Sequence, residues 1–375
     1  MQLTNALLTV IMKLSGKVMN MHAIVKEKRE PKAILTTVDM PKIKENEVLV
    51  KVEAASICGT DVHIWQWNEW AQKRVKRTPF IFGHEVAGEI VEIGRNVTSL
   101  SVGDKVSAET HIADNTCYQC KTDRRHICKN VEILGVDRDG VFAEYFTLPE
   151  ENAWKNDPHL DVAVASIQEP LGNAVQAVLP KNHTEDIAGK NVAVLGAGPI
   201  GLMAMATLKE LGAAKVFATA GGFNRVRMDL AKKMGADRVL SAKQEGEGLV
   251  KKIIDETGGN GVDVAIEMSG DPRAVRQAFE ILTPGGRVSL LGILEKPLEL
   301  DLNNLVIFKA ATVYGITGRL MFQTWYQVKG LLSKQGFKEK MGAIITHRIP
   351  MRDIAEGMEL IISKQAGKVA LLPEW

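Results

Sequence analysis

Nothing in this chain is long and apolar enough to read as a membrane span, and little in it leans toward one sign of charge. Its 375 residues hold 47 Lys and Arg against 45 Asp and Glu, a formal net charge of +2. That removes the electrostatic case for nucleic acid or an anionic membrane and leaves a small molecule as the expected partner. Cysteine is scarce too. Four thiols, three of them within residues 111–130, do not make a secreted disulfide framework and point to a reducing, cytoplasmic setting with metal-binding or catalytic sulfur. There is no internal repeat and no long linker. The apolar run at residues 6–12 is too short for a bilayer and has no positive charge before it, so residues 1–20 read as an extension upstream of a domain. Lys13, Lys17 and the lack of acid there leave organelle targeting as the alternative.

What is present is length enough for two domains. From residue 21 to about 150, short Val- and Ile-rich runs such as "NEVLVKVEAA" and "VAGEIVEIG" alternate with Gly, Asp and Pro turn signals, which predicts a mostly β domain. After residue 186 the pattern switches to strand and helix in alternation: "KNVAVLG", "PIGLMAMATLKELG", "KVFAT", "VRMDLAKKMG" and onward. That series predicts a doubly wound parallel sheet over residues 176–314, covered by helices on both faces.

The first turn of the series reads Gly196-Ala-Gly198-Pro-Ile-Gly201. Between a strand and a helix, these glycines allow the tight turn, the close approach of a pyrophosphate and tight helix packing, while free N–H groups at the helix start suit the phosphates. The expected cofactor is a nicotinamide dinucleotide. Upstream, "SICGTDVHIW" offers Cys58, Thr60 and His63, "FGHEVAGE" offers His84 and Glu85, and "SIQEPLGNAV" offers Glu169. Thiolate, imidazole and carboxylate are zinc ligand types, and an open position among them could polarise a substrate oxygen. Taken one at a time, each residue also has an ordinary reading as a small buried side chain, a satisfied histidine or a solvated charge.

The order Cys-Gly-x-Asp, Gly-His-Glu, clustered cysteines and Gly-x-Gly-x-x-Gly resembles the zinc-dependent medium-chain alcohol dehydrogenases over nearly the whole chain from Met21. Within them, "CGTDVHIWQWNEW", "GHEVAGEIVEIG", "YGITGRLMFQTWY" and "ITHRIP" are similar to strings of the L-threonine 3-dehydrogenase family. The resemblance implies a GroES-like catalytic domain at 21–175 plus 315–375, interrupted by a Rossmann domain at 176–314, with zinc and substrate between them. It implies oxidation of the L-threonine 3-hydroxyl by a homo-oligomeric enzyme, dimer or tetramer. Cys58 and His84 would hold a catalytic zinc with Glu85 at or beside it, and Glu169 would bind that zinc or handle protons. Thr60 and His63 match the proton-relay positions, and His111 a histidine near the substrate. Ile200, Leu291, Gly292, Ile293, Ile316 and Thr317 would lie along the coenzyme. Trp65, Trp67 and Trp70 could shape the pocket or pack at a domain edge. A polyol or secondary-alcohol dehydrogenase, and a nonenzymatic NADPH-binding protein, share enough of the pattern to stand as alternatives.

Two departures from that family are visible. Its second zinc lobe carries four cysteines, whereas here Asp114, Cys117, Cys120 and Cys128 occupy the four positions. A carboxylate is an acceptable zinc ligand, so a second, structural zinc is expected. At the end of the second parallel strand an NAD enzyme presents Asp or Glu to the ribose, yet this chain has Ala220, followed by "GGFNRVR" with Arg225 and Arg227. Family membership favours NAD. The local residues favour NADP.

Overall fold

The computed structural model describes residues 19–222 and 224–375. Of the extension read at residues 1–20, residues 1–18 lie outside the described residues, as does Phe223.

One long strand organises the first sheet. Glu47–Ser56 pairs antiparallel with Glu85–Ile93, Tyr145–Pro149 and the C-terminal strand Lys368–Leu372. Further strands at Lys105–Ala108, Ala153–Lys155 and Ile345–Pro350 complete a seven-stranded sheet. Its interior is branched and aromatic, with Val48, Val50, Ile64, Phe82, Phe142 and Leu148 fully buried. Each such side chain contributes about 1.5–3 kcal/mol through removal from water. Two pairings place the functional groups. Ser56 stands opposite Glu85 on one side and opposite Ala370 on the other. The last strand of the chain and the strand that begins at Glu85 therefore flank the same end of Glu47–Ser56 from its two sides.

The second sheet has six parallel strands in the order Arg238–Ser241, Lys215–Ala220, Asn191–Leu195, Val262–Glu267, Leu282–Leu290, Thr312–Gly315. The chain direction of travel reverses between Asn191–Leu195 and Val262–Glu267, and ligands of such sheets sit at that switch point. Helix Pro199–Glu210 packs on one face of the sheet with Arg225–Met234. Helices Gly248–Asp255 and Pro272–Glu280 cover the other.

The cores divide differently from the sequence segments. Helix Gln168–Val178 spans the expected boundary at 175 and 176 and buries Leu171, Val175 and Val178 in the core of the parallel sheet. Helices Gln323–Leu332 and Gln335–Ile344, from the expected return segment, join the same core through Val328, Phe337 and Met341. Only the strands from residue 345 onward rejoin the first sheet. Apolar periodicity shows that a helix buries one face, but not which sheet it buries that face against.

Candidate active site

Cys58 caps helix Gly59–Gln66, and its backbone N–H donates to Asp61 Oδ2 at 2.8 Å, so the first turn is closed by the carboxylate next to the sulfur. His84 and Glu85 follow the turn at Gly83 and open the strand opposite Ser56. The ligand atoms of Cys58, His84 and Glu85 all lie within 4.8 Å of one another. Asp61 Oδ1 faces His84 Nδ1 at 3.5 Å, too far for a formed hydrogen bond, and both buried atoms are otherwise without partners. A small closure of that gap would complete the carboxylate–histidine pairing that fixes a metal-bound imidazole. Burial works against the His84 imidazolium, but Asp61 and Cys58 outweigh it and hold its pKa well above the usual value. The site is built for a positive charge, and its donor set fits zinc.

Glu85 is fully buried and held from behind. Ser56 Oγ donates to its Oε2, and Lys368 Nζ, itself buried, lies 2.6 Å from its Oε1 and 2.8 Å from Ile57 O. Burial raises the Glu85 pKa while Lys368 opposes that rise. Neither Ser56 nor Lys368 was visible as a site residue in sequence, since only strand register brings residue 368 beside residue 85.

Glu169 is buried nearby but outside the group of mutually adjacent ligand atoms. Its Oε1 accepts from Arg319 Nη1, and Asn173 Nδ2 lies 3.4 Å from both oxygens. Arg319 is fully buried, and its other arm donates to Glu109 and to Thr110 Oγ1 at 2.9 Å. Glu109 Oε2 in turn accepts from Trp325 Nε1 at 2.7 Å. Although burial opposes ionisation, Arg319, His84 and His111 keep the Glu169 pKa low. Arg319, Glu109 and Asn173 escaped the sequence reading, although "YGITGRLMFQTWY" contained both Arg319 and Trp325.

His111 lies beside this network. Its backbone N–H donates to Glu109 Oε1 at 2.8 Å, and Nδ1 lies 3.1 Å from His126 O. A Cβ at Gly318, whose φ is +63°, would stand 2.5 Å from the His111 ring, so glycine is needed there for space and for conformation. Burial and then Arg319 lower the His111 pKa, which favours a neutral ring.

Thr60 and His63 occupy the helix that starts at Cys58. The Asn68 side chain accepts from Ala71 N and presents its Nδ2 to His63 Nδ1 at 2.6 Å, which assigns the neutral ring's proton to Nε2. Burial lowers the His63 pKa, and Glu295, from the loop after Leu282–Leu290, opposes that effect across the cleft. Trp65 and Trp67 belong to the β-domain core, so the packing reading applies to them. Trp70 sets its ring 5.4 Å from that of His63.

The second cluster unites all four expected residues. Asp114, Cys117, Cys120 and Cys128 have their ligand atoms within 4.8 Å of one another. Cys117 Sγ lies 3.5 Å from Cys120 Sγ and 3.7 Å from Cys128 Sγ, and Cys120 Sγ lies 3.4 Å from Asp114 Oδ1. Edges of a tetrahedron with zinc–sulfur bonds of about 2.3 Å and a zinc–oxygen bond of about 2.0 Å have those lengths. Backbone N–H groups of Asp114 and Asn130 point at Cys128 Sγ from 3.5 and 3.3 Å. Thr116 and Cys117 N–H groups hold Asp114 well below the usual carboxylate range. The Asp114 carboxylate occupies the place of a fourth thiolate, and the four residues fit a structural zinc.

The glycine turn joins Asn191–Leu195 to helix Pro199–Glu210. A Cβ at Gly201 would stand 1.9 Å from Gly196 O, whereas one at Gly198 would meet nothing within 4 Å, leaving open space where a pyrophosphate fits. Gly196 and Gly198 line a cleft of about 1200 Å³ that continues past Ala220, Gly221, Asn224 and Arg227. Arg225 is absent from that lining, and its exposed side chain lies 3.7 Å from Asp229. Ile200, Leu291 and Ile316 pack half-buried against the sheet core, with Ile316 N donating to Leu290 O at 2.9 Å. Gly292 is pressed against Gly270 and Glu267, while Ile293 and Thr317 are exposed.

Comparison with known proteins agrees with this geometry. The model of the alcohol dehydrogenase GroES-like domain matches residues 44–158, and that of the zinc-binding dehydrogenases matches 199–334. The L-threonine 3-dehydrogenase of Caldanaerobacter subterraneus subsp. tengcongensis is 50% identical over 353 residues, 94% of this chain and 99% of that protein. The L-threonine 3-dehydrogenase of Pyrococcus furiosus is also 50% identical, over 94% of this chain and 98% of its own. A solved alcohol dehydrogenase of Thermotoga maritima superposes with a TM-score of 0.85 at 29% identity, covering 95% of this chain and all of that one. Half of the residues are thus shared along almost the entire length, and the chain belongs to the L-threonine 3-dehydrogenase family of the zinc-dependent medium-chain alcohol dehydrogenases.

Proposed function

We propose that this chain oxidises the 3-hydroxyl of L-threonine to 2-amino-3-oxobutanoate, with the C3 hydride passing to nicotinamide C4 of NAD(P). The observation that carries the reading is the full Cys58, His84 and Glu85 set, buried together, in a chain that is 46–50% identical to L-threonine 3-dehydrogenases. Cys58 and His84, with Glu85 beside them, would hold a zinc ion that would supply Lewis-acid polarisation of the hydroxyl, and a bound coenzyme would supply the hydride acceptor. The chain's own groups do the rest. Asp61 faces His84 from 3.5 Å, placed to orient the imidazole when that gap closes, while Ser56 and Lys368 hold Glu85 in place. Glu169, kept ionised by Arg319 and within electrostatic reach of His84 and His111, assists proton handling. His63, neutral and half-buried, takes up the substrate proton through Thr60 or water and passes it to solvent.

The chain acts in the cytoplasm as a homo-oligomer. All four cysteines are free, which suits a reducing compartment. The edge strand Thr312–Gly315 carries exposed Val313, with exposed Ile307 and Phe308 in the preceding segment, a surface suited to a second copy. The deciding assay offers metal-replete protein L-threonine, sorbitol, 2,3-butanediol and ethanol and follows coenzyme absorbance. Threonine is expected to be turned over far faster than the others. Turnover of a polyol with none of threonine overturns the proposal.

A further inference from the structure

The cleft that begins at the glycine turn ends in a corner with an unusual charge. Ala220 closes strand Lys215–Ala220 and pairs in register with Ser241, so the residues after the two strand ends face the same space. A carboxylate at the position of Ala220 would accept from the ribose hydroxyls and repel a 2′-phosphate, and its replacement removes both effects. Gly221 and Gly222 add room, for a Cβ on either would meet nothing within 4 Å.

Into this corner comes Arg227. It is half-buried, its Nε donates to Ala366 O at 3.4 Å, and no carboxylate pairs with it among the described residues. Desolvation alone shapes its titration. A buried guanidinium without an anion is costly, and an anionic ligand would relieve that cost. Lys243, two residues beyond Ser241, lines the same cleft. The cleft also holds acids. Of these, Asp271 already pairs with Arg273 at 2.9 Å, and Glu247 is solvent-exposed. Arg225 differs from Arg227 in having its carboxylate, Asp229, beside it.

We propose that this corner is a 2′-phosphate site, with Arg227 as its anchor and Lys243 on the same cleft, so that the chain prefers NADP to NAD. The inference rests on the dehydrogenase reading only in taking the cleft as the coenzyme's. Arginine binds a phosphate through paired, charge-assisted hydrogen bonds, and one such contact suffices for tenfold discrimination.

The test is calorimetric titration of metal-replete protein with 2′,5′-ADP and with 5′-AMP, which differ only in the 2′-phosphate. The expected result is binding of 2′,5′-ADP tighter by about tenfold or more, equivalent to about 1.4 kcal/mol. R227A is expected to bring the two affinities within about twofold while still binding 5′-AMP, which shows that the variant is folded. A220D is expected to favour 5′-AMP. Equal or tighter binding of 5′-AMP by the unaltered protein overturns the proposal. Retention of the preference in R227A, or its loss in R225A instead, overturns the anchor. A 2′,5′-ADP preference in a protein that oxidises no threonine with either coenzyme would sink the substrate reading alone.

Discussion

Arg319 and Glu169, 150 positions apart in the chain, meet as an ion pair with no solvent contact at the guanidinium. The same guanidinium holds Glu109, so one cation serves two buried carboxylates. Its removal leaves both uncompensated. R319A is expected to destabilise the protein by about 3–5 kcal/mol, and the double variant R319M/E109Q by less than the sum of the two single changes. Denaturant midpoints measure this, and a loss below about 1 kcal/mol would show the network to be idle.

His63 governs the acid side of the pH profile. Burial lowers its pKa, so the ring stays neutral, and able to take up a proton, to a pH below the ordinary value of about 6.5. Activity should be lost as pH falls through that lowered pKa. Asp in place of Asn68 puts a negative charge beside Nδ1 and favours the protonated ring. N68D is therefore expected to move the acid limb of kcat/KM upward, and H63A to abolish that limb while leaving zinc content unchanged. An unshifted limb in N68D assigns the titration to another group.

Lys368 should matter through Glu85. K368M removes the buried cation that offsets Glu85, and the expected outcome is a loss of about 3–5 kcal/mol, smaller when E85Q is made as well. Thermal unfolding at neutral pH reads both. Equal losses in the single and double variants would disprove the coupling.

Asp114 sets how firmly the lobe holds its metal. Elemental analysis should find two zincs per chain. D114C is expected to slow zinc loss to a chelator, and D114A to speed it, because thiolate is the softer ligand. His126 of this lobe carries the carbonyl that faces His111 Nδ1, so D114A should also raise KM for threonine. One zinc in metal-replete protein, with thiols 117, 120 and 128 freely titratable, refutes the carboxylate ligand.

Much of this protein is written locally. The glycine turn, the strand–helix alternation and the Asp114 to Cys128 lobe depend on residues close in sequence, where spacing alone fixes what can meet. The lobe's four candidate ligands come together without a long-range contact, and Cys58 with Asp61 closes a single helical turn. Tertiary structure decided the rest. Lys368 reaches Glu85 only because the last strand pairs with Glu47–Ser56, Arg319 reaches Glu169 and Glu109 only because the chain returns across the cleft, and of the two candidate arginines it is Arg227 that lines the cleft. Buried charges need partners of opposite sign. A sequence shows the charge, but the distance across which its partner arrives is set by register and packing, which no local pattern encodes.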